Sequence, residues 1–140
     1  DIAYLRKQLS GILKVDCVWD MALVGAGDLG HAIAQYGGFE GRGFRVACVF
    51  DNKREKIGHR LGSFEIRDAT TLGETIRQLG IVIAIVAVPA GEAQKVVDDL
   101  VDAGVRAVLN YAPITVTAPP GIYVQHIDPV IHLQHMTYHL

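Results

Sequence analysis

The residues of this chain whose types and spacing could do chemistry stand first of all in one short loop, Gly25-Ala26-Gly27-Asp28-Leu29-Gly30. Glycine at the first, third and sixth places suits a strand that must turn sharply into a helix while an anionic group comes against bare backbone. Gly25 permits the turn, Gly27 leaves room for a pyrophosphate, and Gly30 lets the helix pack closely. The helix start then offers unpaired N–H groups and partial positive charge to the phosphates. Such a pattern is common in isolation, so its weight comes from context. An apolar run, Met21 to Val24, precedes it, a helical pattern follows it, and Asp51 stands 21 residues beyond Gly30. A carboxylate there accepts hydrogen bonds from ribose hydroxyls and repels a 2′-phosphate, which favours NAD over NADP. Asn52 beside it joins the expected contacts, while Lys53, Arg54 and Lys56 pull against that preference.

A second group belongs to loops expected at the same end of the sheet. Val88-Pro89 and Asn110-Tyr111-Ala112-Pro113 each follow an apolar run, and ligands in open α/β folds bind outside the carboxyl ends of strands. Asn110, with Ala112, could hold the nicotinamide half of a dinucleotide. Equally, Asn110 could be a loop asparagine that satisfies its own backbone. His132, His135 and His139 share a helical face, with His126 just before it, but no cysteine or carboxylate completes a ligand set there. No metal is therefore expected. Neither a Ser-His-Asp set nor paired catalytic carboxylates can be assembled, so no catalytic residue is assigned. A nicotinamide site lacking its chemistry points to sensing.

The elements that must position these residues follow from periodicity. Apolar residues at Ile2, Leu5, Leu9, Ile12 and Leu13 make one face of a lead-in helix. The strand Met21 to Val24 follows Trp19-Asp20, and the helix after the glycine loop runs through Leu29, Ala32, Ile33 and Tyr36. Phe44 to Phe50 is a strand meeting Asp51, and Phe64 to Ile66 a shorter one. Thr71 and Glu74 read as a capping box for a helix ended by Gly80. The run Ile81 to Val88 fits a strand covered on both faces, ended by Pro89. A helix from Ala90 to Ala103 stops at Gly104, strands follow at Val105 to Leu109 and Ile122 to Val124, and Asp128-Pro129 opens a closing helix to Leu140. Strands alternating with helices predict a Rossmann-type, doubly wound α/β fold: a mostly parallel sheet with helices on both faces. The division expected is lead-in helix and linker at 1–18, nucleotide-binding domain at 19–128 and dimerisation helix at 129–140. Val130, Ile131, Leu133, Met136, Tyr138 and Leu140 spread apolar surface over more of that last helix than one sheet can cover.

Composition narrows the classes further. With 140 residues, half of them hydrophobic, and a formal net charge of -2, the chain can bury a continuous core and lacks the basic balance of a nucleic-acid binder. Cys17 and Cys48 show no metal spacing and suit a reducing, cytoplasmic setting. The longest apolar stretch, Ile81 to Ala90, is well short of the roughly 20 residues a membrane span needs. No secretory signal precedes it. The chain begins with Asp1, which reads as a fragment lacking a natural N-terminal portion.

Taken together, Val24 to Gly30, Phe50-Asp51, Val88-Pro89, Leu109 to Pro113, and His126-Ile127-Asp128 leading into Leu133 to Tyr138 resemble the C-terminal NAD(H)-binding domain of the Rex family. Members of that family are bacterial redox-sensing transcriptional repressors. The resemblance implies a homodimer whose N-terminal winged helix, missing here, binds operator DNA and releases it when NADH replaces NAD⁺. It also implies that the closing helix is swapped onto the partner subunit. Tyr36 and Asp128 match the residues of the family's redox switch at the interface. Where the family has an aromatic residue after that aspartate, this sequence has Pro129. Two other readings stay open, a cofactor domain of an NAD-dependent dehydrogenase and a CoA-binding domain.

Overall fold

A computed structural model describes residues 18–35 and 42–127. The first strand, β1 (Trp19–Val24), shows how the sheet acquires two covered faces. Met21 and Leu23 enter one apolar cluster while Ala22 and Val24 enter another, as the period-two alternation of a strand requires. The same alternation splits β5 (Ile83–Val86): Ile83 and Ile85 face one side, Ala84 and Val86 the other, and all four are buried. This is why the run reads as uninterrupted apolar sequence.

The remaining elements are α1 (Asp28–Ala34), β2 (Phe44–Asp51), β3 (Arg60–Leu61), β4 (Phe64–Asp68), a 3₁₀ turn (Ala69–Thr71), α2 (Leu72–Leu79), α3 (Ala90–Asp102), β6 (Ala107–Asn110) and β7 (Tyr123–His126). Among the described residues the strands form one sheet in the order β3-β4-β2-β1-β5-β6-β7. Every pairing is parallel except β3 with β4. Ile33 of α1 packs into the cluster of Met21 and Leu23, whereas Ile76 of α2 with Val97 and Leu100 of α3 packs into the opposite one. Helices thus cover both faces, and the Rossmann-type doubly wound fold is the one found.

Strand order reverses direction at β1. From β1 the chain goes to β2 and β4 on one side, then crosses through α2 to β5 on the other. The loops leaving β1 and β5 therefore diverge over a crevice at the carboxyl edge, the place where open α/β sheets take their ligands.

One local expectation is corrected. The capping box at Thr71 and Glu74 does not form. Thr71 donates its hydroxyl to the Asp68 carbonyl at 2.7 Å, and Asp68 does the capping, accepting from the Thr70 N–H at 3.0 Å. A 3₁₀ turn therefore comes before α2. The hairpin of β3 and β4 has no counterpart in the sequence reading, because a two-residue strand carries no measurable periodicity. Gly80 ends α2 in the left-handed conformation at φ 66°, as the glycine there predicted. The lead-in helix, Tyr36, Asp128 and the closing helix lie outside the described residues.

Candidate functional site

The site grows from the end of β1. Its last backbone groups are held on both sides: Gly25 donates its N–H to the Phe50 carbonyl of β2 at 2.8 Å, and Ala87 beyond β5 donates to the Val24 carbonyl at 2.8 Å. Between these neighbours the chain must leave the sheet, and Gly25 does so at φ +111°, where an L side chain is strained. A Cβ here would also lie 2.3 Å from the Ala87 carbonyl oxygen. Gly30 is required for a different reason, since its Cβ would stand 1.9 Å from the Gly25 carbonyl oxygen. It lets α1 close on the loop itself more than on the sheet. Gly27 differs from both. A Cβ there would meet only the Lys56 ammonium at 3.9 Å, so the space above it is open from the protein's side.

Gly27 is also the N-cap of α1, in extended conformation and without a capping side chain. Ser, Asp or Asn at this place would occupy a first-turn N–H; glycine leaves those donors for another acceptor.

Two side chains, one at the end of β2 and one from the loop beyond it, hold the peptide groups of Ala26. Asp51, 8% exposed, accepts the Ala26 N–H at 2.8 Å on Oδ2 and the Lys53 N–H at 2.9 Å on Oδ1. Lys56 donates from Nζ to the Ala26 carbonyl at 3.3 Å. A carboxylate has about four acceptor positions, so Asp51 keeps capacity for ribose hydroxyls after these two bonds. Asn52 Nδ2 donates to Glu92 Oε1 on α3, joining the two walls of the crevice. The crevice encloses about 860 Å³. This is within the range of small-molecule sites.

The fold and the loop geometry can be set beside known proteins. Residues 17–114 match the family model for the CoA binding domain. The redox-sensing transcriptional repressor Rex of Chloroflexus aurantiacus is 44% identical over 140 residues, covering 100% of this chain and 66% of that protein. Rex of Brevibacillus brevis is 39% identical over 140 residues, covering 100% of this chain and 68% of that protein. The chain carries a CoA binding domain and belongs to the Rex family. Among solved structures, RSP, a Rex-family repressor, matches with a TM-score of 0.81 and 31% identity over 98% of this chain and 66% of that one. RSP has been solved with NADH, and with NAD⁺ and operator DNA, each matching at a TM-score of 0.80. The chain thus spans about 66% of the length of the Chloroflexus relative and of RSP.

Most of the residues expected at the site come together in this Rex-family crevice. Gly25, Ala26, Gly27, Asp28, Leu29, Asp51, Asn52, Val88 and Pro89 all line it. Gly30 lies beneath, against Gly25. Asn110 and Ala112 do not reach it. Asn110 is fully buried; its amide donates to the Ala112 and Ile114 carbonyls at 3.4 and 2.9 Å, and its oxygen accepts the Ala112 N–H at 3.1 Å. Asn110 thus bonds the backbone of its own loop, as one of the two readings open for it expects. His126 accepts the Val116 N–H at 3.1 Å on its ring nitrogen, while His132, His135 and His139 fall outside the described residues.

Sequence reasoning missed the crevice's far wall. Glu92, Lys95, Thr70, Gly73 and Arg77 line it from α3, the 3₁₀ turn and α2. Nothing in their spacing joins them, because the crossover through α2 is what brings them beside Asp51. Lys56 was visible only as one of several basic residues after Asp51.

Proposed function

We propose that this chain is the NADH/NAD⁺-sensing and dimerisation portion of a bacterial transcriptional repressor that releases DNA when NADH binds. One observation carries the reading: the glycine loop, with the Ala26 N–H on Asp51 at 2.8 Å, forms the floor of a crevice at the topological switch point. That arrangement offers backbone donors to a pyrophosphate and a carboxylate to an adenosine ribose. The dinucleotide contacts are Gly25 to Leu29, Asp51 and Asn52, with Val88 and Pro89 at the nicotinamide side. Gly30 supports the loop from below. Membership of a family of redox-sensing repressors, and the solution of RSP with both oxidation states of the cofactor, support the same reading.

The domain senses and does not turn substrate over. It acts as a homodimer through residues 129–140, with Tyr36 and Asp128 at the redox-sensitive interface. Operator DNA is reached through a winged helix N-terminal to residue 1, and the repressor works in the cytoplasm. Among the described residues no helix is long and apolar enough to cross a membrane.

A second reading has its own support. The match to the CoA binding domain over residues 17–114 keeps CoA as a candidate ligand. Calorimetric titration with NADH, NAD⁺, NADPH and CoA separates the two. NADH binding tighter than NADPH and CoA is expected; CoA binding in preference to NADH would overturn the proposal.

A further inference from the structure

Lys56 stands five residues past the Asp51 carboxylate, yet its side chain returns to the glycine loop. Its ammonium donates to the Ala26 carbonyl at 3.3 Å and lies 3.9 Å from where a Gly27 Cβ would be. Lys56 is half-buried and lines the crevice. Lys53 also lines the crevice, beside Asp51, while two further cations are engaged along the far wall. Lys95 pairs with Asp99 at 2.9 Å, and Arg77 donates to the Asp102 carbonyl at 3.3 Å.

A lysine ammonium has three donors and no acceptor, and a neutral carbonyl at 3.3 Å is a weak claim on a full charge. The carbonyl holds the ammonium at the edge of the open space over Gly27, where a dinucleotide's anionic oxygens would come. We propose that Lys56 is a ligand-binding residue that gives its ammonium to the diphosphate of the bound dinucleotide. The glycine loop supplies neutral N–H donors, and Lys56 supplies the formal positive charge that offsets the diphosphate. This inference rests on the nucleotide reading of the crevice. It adds a contact that the glycine motif does not contain.

The choice of ligand separates a diphosphate contact by Lys56 from a 2′-phosphate contact, for which Lys53 beside Asp51 is the other cation of the crevice. A diphosphate contact serves NADH and NADPH alike. A contact with a 2′-phosphate would serve NADPH alone, and it would call for a cation on the ribose side of Asp51.

The test uses the whole chain with Lys56→Gln and Lys56→Arg, titrated with NADH, NADPH and ADP-ribose at two salt concentrations. Lys56→Gln should weaken all three by about tenfold, some 1.4 kcal/mol. It should also flatten the salt dependence of NADH binding, because one ion pair has gone. Lys56→Arg should restore most of the affinity, and both variants should melt like the parent. Unchanged NADH affinity in Lys56→Gln would overturn the inference, as would a loss confined to NADPH. If the parent binds none of the three, the nucleotide reading itself falls, an outcome separate from a failure of Lys56 alone.

Discussion

The carboxylate of Asp51 and the backbone N–H of Ala26 meet at 2.8 Å, so the end of β2 holds the turn that follows β1. Asp51 is buried, and its second oxygen is taken by the Lys53 N–H at 2.9 Å. One residue thus shapes the loop and, in the proposed function, would also meet a ribose. Asp51→Ala leaves the Ala26 N–H without its acceptor, which should cost about 1–3 kcal/mol of stability in urea unfolding. The same variant should lose NADH affinity and lower the preference for NADH over NADPH. Undiminished stability would mean that the loop holds itself.

The three loop glycines should separate by experiment. Gly25→Ala and Gly30→Ala put a Cβ 2.3 and 1.9 Å from backbone oxygens that cannot move independently, so both should fold poorly or lose about 1–3 kcal/mol or more. At Gly27 a Cβ meets no protein backbone within 4 Å, so Gly27→Val should melt close to the parent. It should nevertheless abolish NADH binding by filling the space above the loop. Full NADH affinity in a folded Gly27→Val protein would remove the proposed site.

Asn110 should behave as a structural residue. Its three hydrogen bonds stay within the loop 110–114, so Asn110→Ala should lower unfolding stability by about 1–3 kcal/mol. NADH affinity should change less than in Asp51→Ala. A large loss of affinity at unaltered stability would show that the loop opens and turns Asn110 toward the ligand.

Two groups give the fold a pH dependence of known sign. Burial pushes the Cys48 thiol up from 9.0 to about 11, with Arg67 opposing and Asp20 adding to the rise. Its contribution is complete below pH 9.0 and is lost as the pH rises through about 11, because the unfolded chain ionises first. Native Cys48 should therefore react slowly with thiol reagents at neutral pH, and Cys48→Ala should flatten the alkaline fall in stability. Asp68 moves the other way. Its bonds from the Thr70 N–H and hydroxyl, helped by Arg54, hold its carboxyl below the ordinary 3.8. That contribution is present above the usual carboxylate range and is lost as the pH falls through the lowered value. Acid titration of Asp68→Asn by circular dichroism should show a shallower fall than the parent.

The sequence by itself determined what depends on residue type at one place. Gly25 had to be glycine because its φ is positive, Gly80 because a helix ends there, and the run at Ile83–Val86 had to be apolar because both its faces are covered. These demands are local, and each is written into the residue that meets it. The sheet plan followed from the alternation of such segments. Tertiary structure alone decided which strand ends lie side by side: the crossover through α2 sets Ala87 against Gly25, faces Glu92 toward Asn52 and adds a far wall to the crevice. It also chose between equally plausible partners, turning Asn110 inward to its own loop and Lys56 back over Ala26. A polar side chain takes whichever acceptor folding brings within hydrogen-bonding reach, and that distance is a property of the packed chain.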